Sequence, residues 1–386
     1  MEKILKTAIG RVLSAFVKPS IVFESRPPLG DNTKPVYDEF VRRGYSKKYN
    51  LIWRLGYGSY AILRKDGLRF WKSTEKRTLV EWLYTISYKY GTKCTICCNI
   101  FLPSSGPDRK TFGRQQKCFY LTHGIPIKNI KGFYSEDEGI DYVISPGSAV
   151  NDIFADQFNI DKDKIFVAGY PRNDVFAEPP IDLTAKIGGE YSHVIIWYPT
   201  FRQHLSGCAI TNGSSMPLIH DDKNAVMLNE VAKECNTLII FKPHFVQDVS
   251  FLHDLQLSNI LLIDDSFFEE KGFTSYQMLA ASDALITDYS SVYYDYTLHD
   301  KPIGVVWEDI DDYRESPGFA VDLDFFMKGA EKIYTIEELC RFVRSVAEGE
   351  DRLREKRREI RDLANFPSDG KNTQRVVDFI ESKNSF

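Results

Sequence analysis

The sequence predicts an α/β protein built from two Rossmann-like halves on parallel sheets. Three observations carry this. Short apolar runs bounded by turn residues alternate with helical patterns along the whole chain, the signature of βαβ units. The segment Ala177–Glu190, AEPPIDLTAKIGGE, is rich in Pro, Gly and polar residues and divides the series in two. At 386 residues and 43% hydrophobic content the chain is too long for one ordinary core and too apolar for disorder.

The first half offers the runs SIVFES, YNLIWRL, KCTICCNI, KCFYLTHG, DYVISPG and KIFVAGYP. The second offers HVIIWYPTF, TLIIFKPHF, NILLIDD, DALITDYS and KPIGVVW. Each is short, β-branched or aromatic, and closed by turn residues, as strands of a parallel sheet are. Four segments follow: a helix over 1–18, a first domain over 19–180, a second over 181–360, and a terminal helix over 361–386 that packs back toward the first domain. No internal repeat or low-complexity tract interrupts them.

Residues 1–18 place Ile4, Leu5, Ala8, Ile9, Val12, Leu13, Phe16 and Val17 on one helical face and set Lys3, Lys6, Arg11 and Lys18 off it. A basic amphipathic helix of this kind either packs on its own domain or lies on an anionic membrane leaflet. No apolar stretch reaches the roughly 18 residues a membrane span needs, and no small-residue cleavage site marks a secretory leader. Seven cysteines are an odd number scattered over a long chain, unlike a disulfide framework, and the chain reads as cytosolic. Cys94, Cys97 and Cys98 lack a second ligand pair at zinc spacing, and core packing is the better reading.

The formal net charge of -5 hides an asymmetry. Residues 1–132 hold 25 Lys and Arg against 9 Asp and Glu, whereas residues 133–386 hold 24 against 45. Such a basic half points to an anionic polymer or surface. Basic and aromatic residues do not interleave on any nucleic-acid module, so no nucleic-acid partner is expected.

Ligands of open parallel sheets sit at the carboxyl ends of strands, so the polar residues just after each apolar run matter most. They are His123, the run Arg172-Asn173-Asp174, Thr200, Arg202, His244, and the run Thr287-Asp288-Tyr289-Ser290-Ser291. His, Arg, Ser and Thr concentrated there suit a nucleotide diphosphate. Ser290 or Ser291, where a strand turns into a helix, is placed to cap it and to offer N–H groups to a pyrophosphate. His244, with Lys242 beside it, is placed for a phosphate. His123 lies on a loop shaped by Gly124 and Pro126 with Lys128 and Lys131 adding charge; histidine's unperturbed pKa lies near neutral pH, which suits a base for an alcohol. Read singly, each also fits a purely structural role.

Other motifs fall away. Gly56–Ala61 matches G-x-G-x-x-A, but AILRKDGLRFW after it alternates like a strand instead of opening a helix. No phosphate-binding G-x-x-x-x-G-K-[ST] and no G-x-S-x-G is present. The acidic run Glu308–Asp312 has donors for a divalent cation, yet a solvated loop is the better reading, and no cofactor is firmly implied.

Taken in order, IVFES, LTHGIPIK, GYPRND, YPTFR, FKPH, ALITDYSSVYYDY and DGKNTQRVVDFI resemble the CDP-glycerol glycerophosphotransferase family of teichoic acid and teichoic-acid-like capsule synthesis. The resemblance implies a GT-B architecture, its two parallel sheets facing a central cleft, with the acceptor on the N-terminal domain and the CDP-polyol donor on the C-terminal one. It implies His123 as catalytic base. It implies His244, Thr287, Asp288, Ser290 and Ser291, with Thr200 and Arg202, at the donor, and Gly124, Lys128, Arg172, Asn173 and Asp174 at the acceptor or between domains. The acceptor would be an anionic polymer or lipid-linked primer, reached from the inner face of a bacterial membrane. Thr122 stands where the family has Trp and Ile125 where it has Thr, which leaves open an acceptor or a transferred alcohol different from the usual glycerol phosphate. Two alternatives remain: a GT-B glycosyltransferase using a CMP- or UDP-sugar, and a non-catalytic scaffold for membrane or polyanion.

Overall fold

A computed structural model of the chain describes residues 2–25, 29–56, 59–64, 67–71, 79, 83, 90–97, 116–132, 140–200, 217–243, 252, 255–315, 317–365 and 369–384. These form two compact units. The first holds residues 1–123, 131–174 and 369–386; the second holds 124–130 and 175–368. The chain thus changes unit at Asp174–Val175, just ahead of the Pro- and Gly-rich segment.

In the first unit, β1 (Ser20–Glu24), β2 (Asn50–Gly56), β5 (Thr92–Cys97), β6 (Lys117–Tyr120), β7 (Tyr142–Ser145) and β8 (Ile165–Val167) pair in parallel. Their sheet continues into β3 (Ser59–Arg64) and β4 (Gly67–Trp71), in the order β4-β3-β2-β1-β5-β6-β7-β8. β3 and β4 are antiparallel additions at the edge of that parallel sheet. Two residues separate β2 from β3, and two separate β3 from β4. A parallel crossover needs a dozen or more residues, so only hairpins are possible there.

Direction along the sheet reverses between β1 and β5, since β2 lies on one side of β1 and β5 on the other. Phe23, Phe40 and Trp53 are fully buried at the centre of this unit, with Phe23 edge-on to Phe40 at 5.8 Å. The last helix, Asn372–Lys383, adds Val376, Val377 and Ile380 to that core, and its Phe379 stacks on Phe166 at 3.8 Å. Gly169 makes the approach possible: a Cβ there would lie 2.0 Å from the Asn372 side chain, and its φ of +81° suits glycine.

In the second unit, β9 (His193–Trp197), β10 (Thr237–Phe241), β11 (Ile260–Leu262), β12 (Ala284–Thr287), β13 (Ile303–Val306) and β14 (Glu331–Ile333) form an all-parallel sheet. Its order, β11-β10-β9-β12-β13-β14, is the doubly wound 3-2-1-4-5-6 arrangement when counted from β9. β10, β12 and β13 are buried throughout, which explains why their sequences are continuous apolar runs instead of alternating ones. The three-residue β14 carries no such run and was not anticipated. Helices Asp222–Glu234 and Ile336–Ala347 supply Leu228, Val231, Leu339 and Val343 to the core on this sheet.

Among the described cysteines, Cys94, Cys97, Cys118 and Cys340 are buried and Cys235 is half-buried, and burial pushes the Cys94 thiol up. Among the described residues no helix is long and apolar enough to cross a membrane.

Candidate active site

The carboxyl ends of β9 and β12 mark the switch point of the second sheet, where ligands of such sheets bind. Three predicted residues meet there. The Asp288 carboxylate, 1% exposed, accepts from the Thr200 backbone N–H at 2.8 Å and from the Thr200 hydroxyl. Thr287, fully buried, donates its hydroxyl to the Tyr198 carbonyl at 2.7 Å. These bonds lock the β9 exit against the β12 exit. Asp288 therefore acts on protein donors, and as a carboxylate it has nothing to offer a phosphate oxygen directly.

Ser290 and Ser291 follow at the same edge, half-buried. Ser291 sits at the N-cap of the short helix Val292–Tyr296 in a helical conformation, φ −63° and ψ −17°, and makes no side-chain cap hydrogen bond. The capping expectation is thus not met by Ser291, because a capping side chain needs extended backbone to reach back to the first turn. His244 and Arg202 lie outside the described residues, as does Cys98. Lys242 is described, and its ammonium pairs with Asp265 at 2.9 Å.

The acidic run divides among separate partners. Glu308 accepts from the Leu218 N–H at 2.9 Å, Asp309 from the Tyr289 hydroxyl at 3.1 Å, and Asp311 pairs with Arg314 at 3.1 Å. Among the described residues no three His, Cys, Asp or Glu side chains converge as a metal set.

In the first unit the carboxyl end of β6 runs Leu121-Thr122-His123. His123 is exposed, whereas Leu121 and Thr122 are fully buried. Thr122 takes φ +54°, a left-handed conformation that a β-branched residue avoids and that stores on the order of 1–3 kcal/mol. Surrounding bonds hold it there. Its hydroxyl donates to the Tyr170 hydroxyl at 2.7 Å, and its carbonyl accepts from the Asn32 amide at 2.9 Å.

Asn32 also accepts from the Arg172 backbone N–H at 3.2 Å. Arg172, 8% exposed, pairs with Asp31 at 2.5 Å and lies over the Tyr170 ring at 5.1 Å. Asn173 is buried and closes a turn onto the Tyr170 carbonyl at 3.0 Å. Asp174 accepts from the backbone N–H groups of Asn372 at 2.8 Å and Thr373 at 2.9 Å, and burial raises its pKa. The run from Arg172 to Asp174 therefore ties the β8 exit to β1 and to the last helix. Asp31, Asn32 and Tyr170 were missed in the sequence. Their signal was available for Asn32, a polar residue between the β1 exit and the helix Thr33–Arg42.

Gly124 and Lys128 go with the second unit. The segment runs antiparallel to residues 318–320, with the Asn129 N–H donating to the Gly318 carbonyl at 3.0 Å and the Ala320 N–H to the Ile127 carbonyl at 2.8 Å. Lys128 places its ammonium 5.2 Å from the Tyr313 ring centroid. Gly124 is buried at φ +149°.

Two Rossmann-like units, with strand-end residues gathered at the switch point of the second, define an α/β protein of the GT-B type. Residues 10–382 match the family described as CDP-glycerol:poly(glycerophosphate) glycerophosphotransferase, and the chain belongs to that family. A teichoic acid glycerol-phosphate transferase of Staphylococcus aureus is 30% identical over 231 residues, 52% of each chain. A teichoic acid glycerol-phosphate primase of Bacillus subtilis is 22% identical over 368 residues, 91% of this chain and 89% of the relative. The chain spans about half the length of the Staphylococcus aureus relatives it matches. Among solved structures, the wall teichoic acid polymerase TagF superposes with a TM-score of 0.69 at 20% identity, covering 99% of this chain and 96% of that one; this likeness concerns the fold.

Proposed function

We propose that the protein transfers a polyol phosphate, glycerol phosphate or a close analogue, from a CDP-activated donor to a hydroxyl of a teichoic-acid-like or capsular polymer or its lipid-linked primer. Family membership across residues 10–382 is the observation that carries this reading. His123 takes the proton of the acceptor hydroxyl. The oxygen attacks the phosphorus bearing the polyol, the phosphoanhydride bond breaks, and CMP leaves with the bonding electron pair. A positioned base contributes about 10²- to 10⁴-fold to such a step. The exposed His123 beside a rigidly held Thr122 supports the assignment. The donor is held at the switch point of the second sheet, by Ser290, Ser291 and the loops that Thr200 and Asp288 lock, and the family resemblance adds His244 and Arg202 to the donor-binding residues. CMP release from CDP-glycerol or CDP-ribitol tests the reaction: His123→Ala should lose most of the rate, and full activity in that variant removes the base assignment.

The same reading places the protein on the inner face of a bacterial membrane, bound through its first helix, Glu2–Ser14. Val12 in the helix and Phe16 in the turn just after it are 61% and 82% exposed, as apolar anchors in a leaflet would be. Cosedimentation with anionic vesicles tests this. Val12→Glu with Phe16→Glu should abolish binding, and vesicle binding equal to wild type would show that the helix is no anchor.

A further inference from the structure

Nothing about a general base requires its neighbour to be strained, yet the residue just before His123 is. Thr122 adopts φ +54° and is fully buried, so its side chain has no direct part in substrate contact. The left-handed residue stands at the end of β6, where the buried Leu121 and Thr122 give way at once to the exposed His123. The backbone that carries the imidazole therefore starts from a residue kept in an unfavourable conformation.

One side chain is built into that constraint. Asn32 is fully buried, and its amide group donates to two successive carbonyls of the turn, Thr122 at 2.9 Å and Leu121 at 3.4 Å. Its own oxygen accepts from the Arg172 N–H at 3.2 Å, which keeps the amide from turning over. The Leu121 N–H is held separately by the Cys97 carbonyl at 2.7 Å, so β6 enters the turn from a fixed point. Only an amide fits all three bonds: a carboxylate lacks the donor, and a smaller residue leaves buried carbonyls unpartnered.

We infer that Asn32 is a positioning residue for the reaction, holding Thr122 in its left-handed conformation so that His123 is aimed at the acceptor hydroxyl. This rests on the reading of His123 as base. The test is CMP release by wild type, H123A, N32A, N32D and the double variant N32D with Thr122→Gly. Asn32→Asp keeps the shape and the acceptor for Arg172 but removes the donor to the turn. It should lower kcat by about 10- to 100-fold, the scale expected when a reacting group is misplaced by about an ångström, while KM for CDP-glycerol stays within about twofold. Glycine adopts positive φ without the Cβ penalty, so adding Thr122→Gly should return part of the lost kcat. A merely structural residue would not be rescued in this way.

Three outcomes overturn the inference or its basis, and they are distinguishable. If N32A and N32D keep kcat within twofold while H123A is inactive, Asn32 does not position the base. If kcat, KM and melting temperature all worsen together and Thr122→Gly restores nothing, Asn32 is a scaffold residue only. If H123A itself is as active as wild type, the underlying base assignment fails, whatever the Asn32 variants do.

Discussion

Asp174 anchors the end of the chain to the first unit, and its removal has a calculable effect. The helix Asn372–Lys383 has no side-chain cap from its own N-cap residue, Lys371. Asp174, far away in sequence, supplies one by accepting from the Asn372 and Thr373 N–H groups at 2.8 and 2.9 Å. Loss of an N-cap acceptor costs up to about 2 kcal/mol. The charge at the positive helix end adds up to about 2 kcal/mol in partly buried geometry. Against these stands the burial of the carboxylate, the main cause of its raised pKa.

The balance for Asp174→Ala is a destabilisation of about 2–3 kcal/mol, because two partly buried N–H groups then lose their acceptor. For a unit of this size that lowers the melting temperature by about 5–10 °C. Thermal unfolding followed by circular dichroism measures the total, and hydrogen exchange of the amides at 373–380 locates it. Asp174→Asn, which keeps one carbonyl acceptor, should fall near half the effect. A change below about 0.5 kcal/mol in the alanine variant, with unaltered exchange in the last helix, would refute the idea that this contact secures the helix.

Other consequences follow from single contacts. Asp288→Asn turns one acceptor of the Thr200 clamp into a donor and should destabilise the second unit by about 1–3 kcal/mol while raising KM for CDP-glycerol; unchanged melting and KM would remove its role in shaping the switch point. Phe379→Ala deletes a ring stacked at 3.8 Å on Phe166 and edge-on to Tyr142 at 5.2 Å, and for this half-buried position urea unfolding should show a loss of about 2–3 kcal/mol. His299 has a lowered pKa, chiefly from burial, so the unfolded chain takes up its proton first as pH falls. Its stabilising effect is complete above the ordinary value near 6.5 and is lost as pH drops below it. The wild-type decline in unfolding free energy between pH 7 and 5 should be shallower in His299→Gln, and identical slopes would show that His299 does not carry it.

Much of the fold was legible because burial writes itself into local sequence. Every apolar run named in the second half became a strand of one parallel sheet, with β10, β12 and β13 buried over their full length. The hairpin β3–β4 was less legible: AILRKDGLRFW alternates as a strand does, but the direction of pairing depends on a partner that periodicity does not name. At the site, chemistry-bearing residues were readable and their partners were not. Asp288 reads in sequence as a ligand group beside Ser290 and Ser291, yet it faces Thr200 across 88 residues.

The sequence by itself determined that this chain makes two α/β units, that His123, Thr200, Thr287 and Asp288 stand at strand ends, and to which family it belongs. Those are local facts, set by hydrophobic period, turn residues and motif. Only the tertiary structure decided what the polar residues do for one another. Asn32 reaches Thr122, Arg172 reaches Asp31, and Asp174 reaches the last helix. Hydrogen bonds act over about 3 Å of space without regard to distance along the chain. A pairing such as that of Asp174 with Thr373, 199 residues apart, leaves no pattern in sequence until the fold brings the two together.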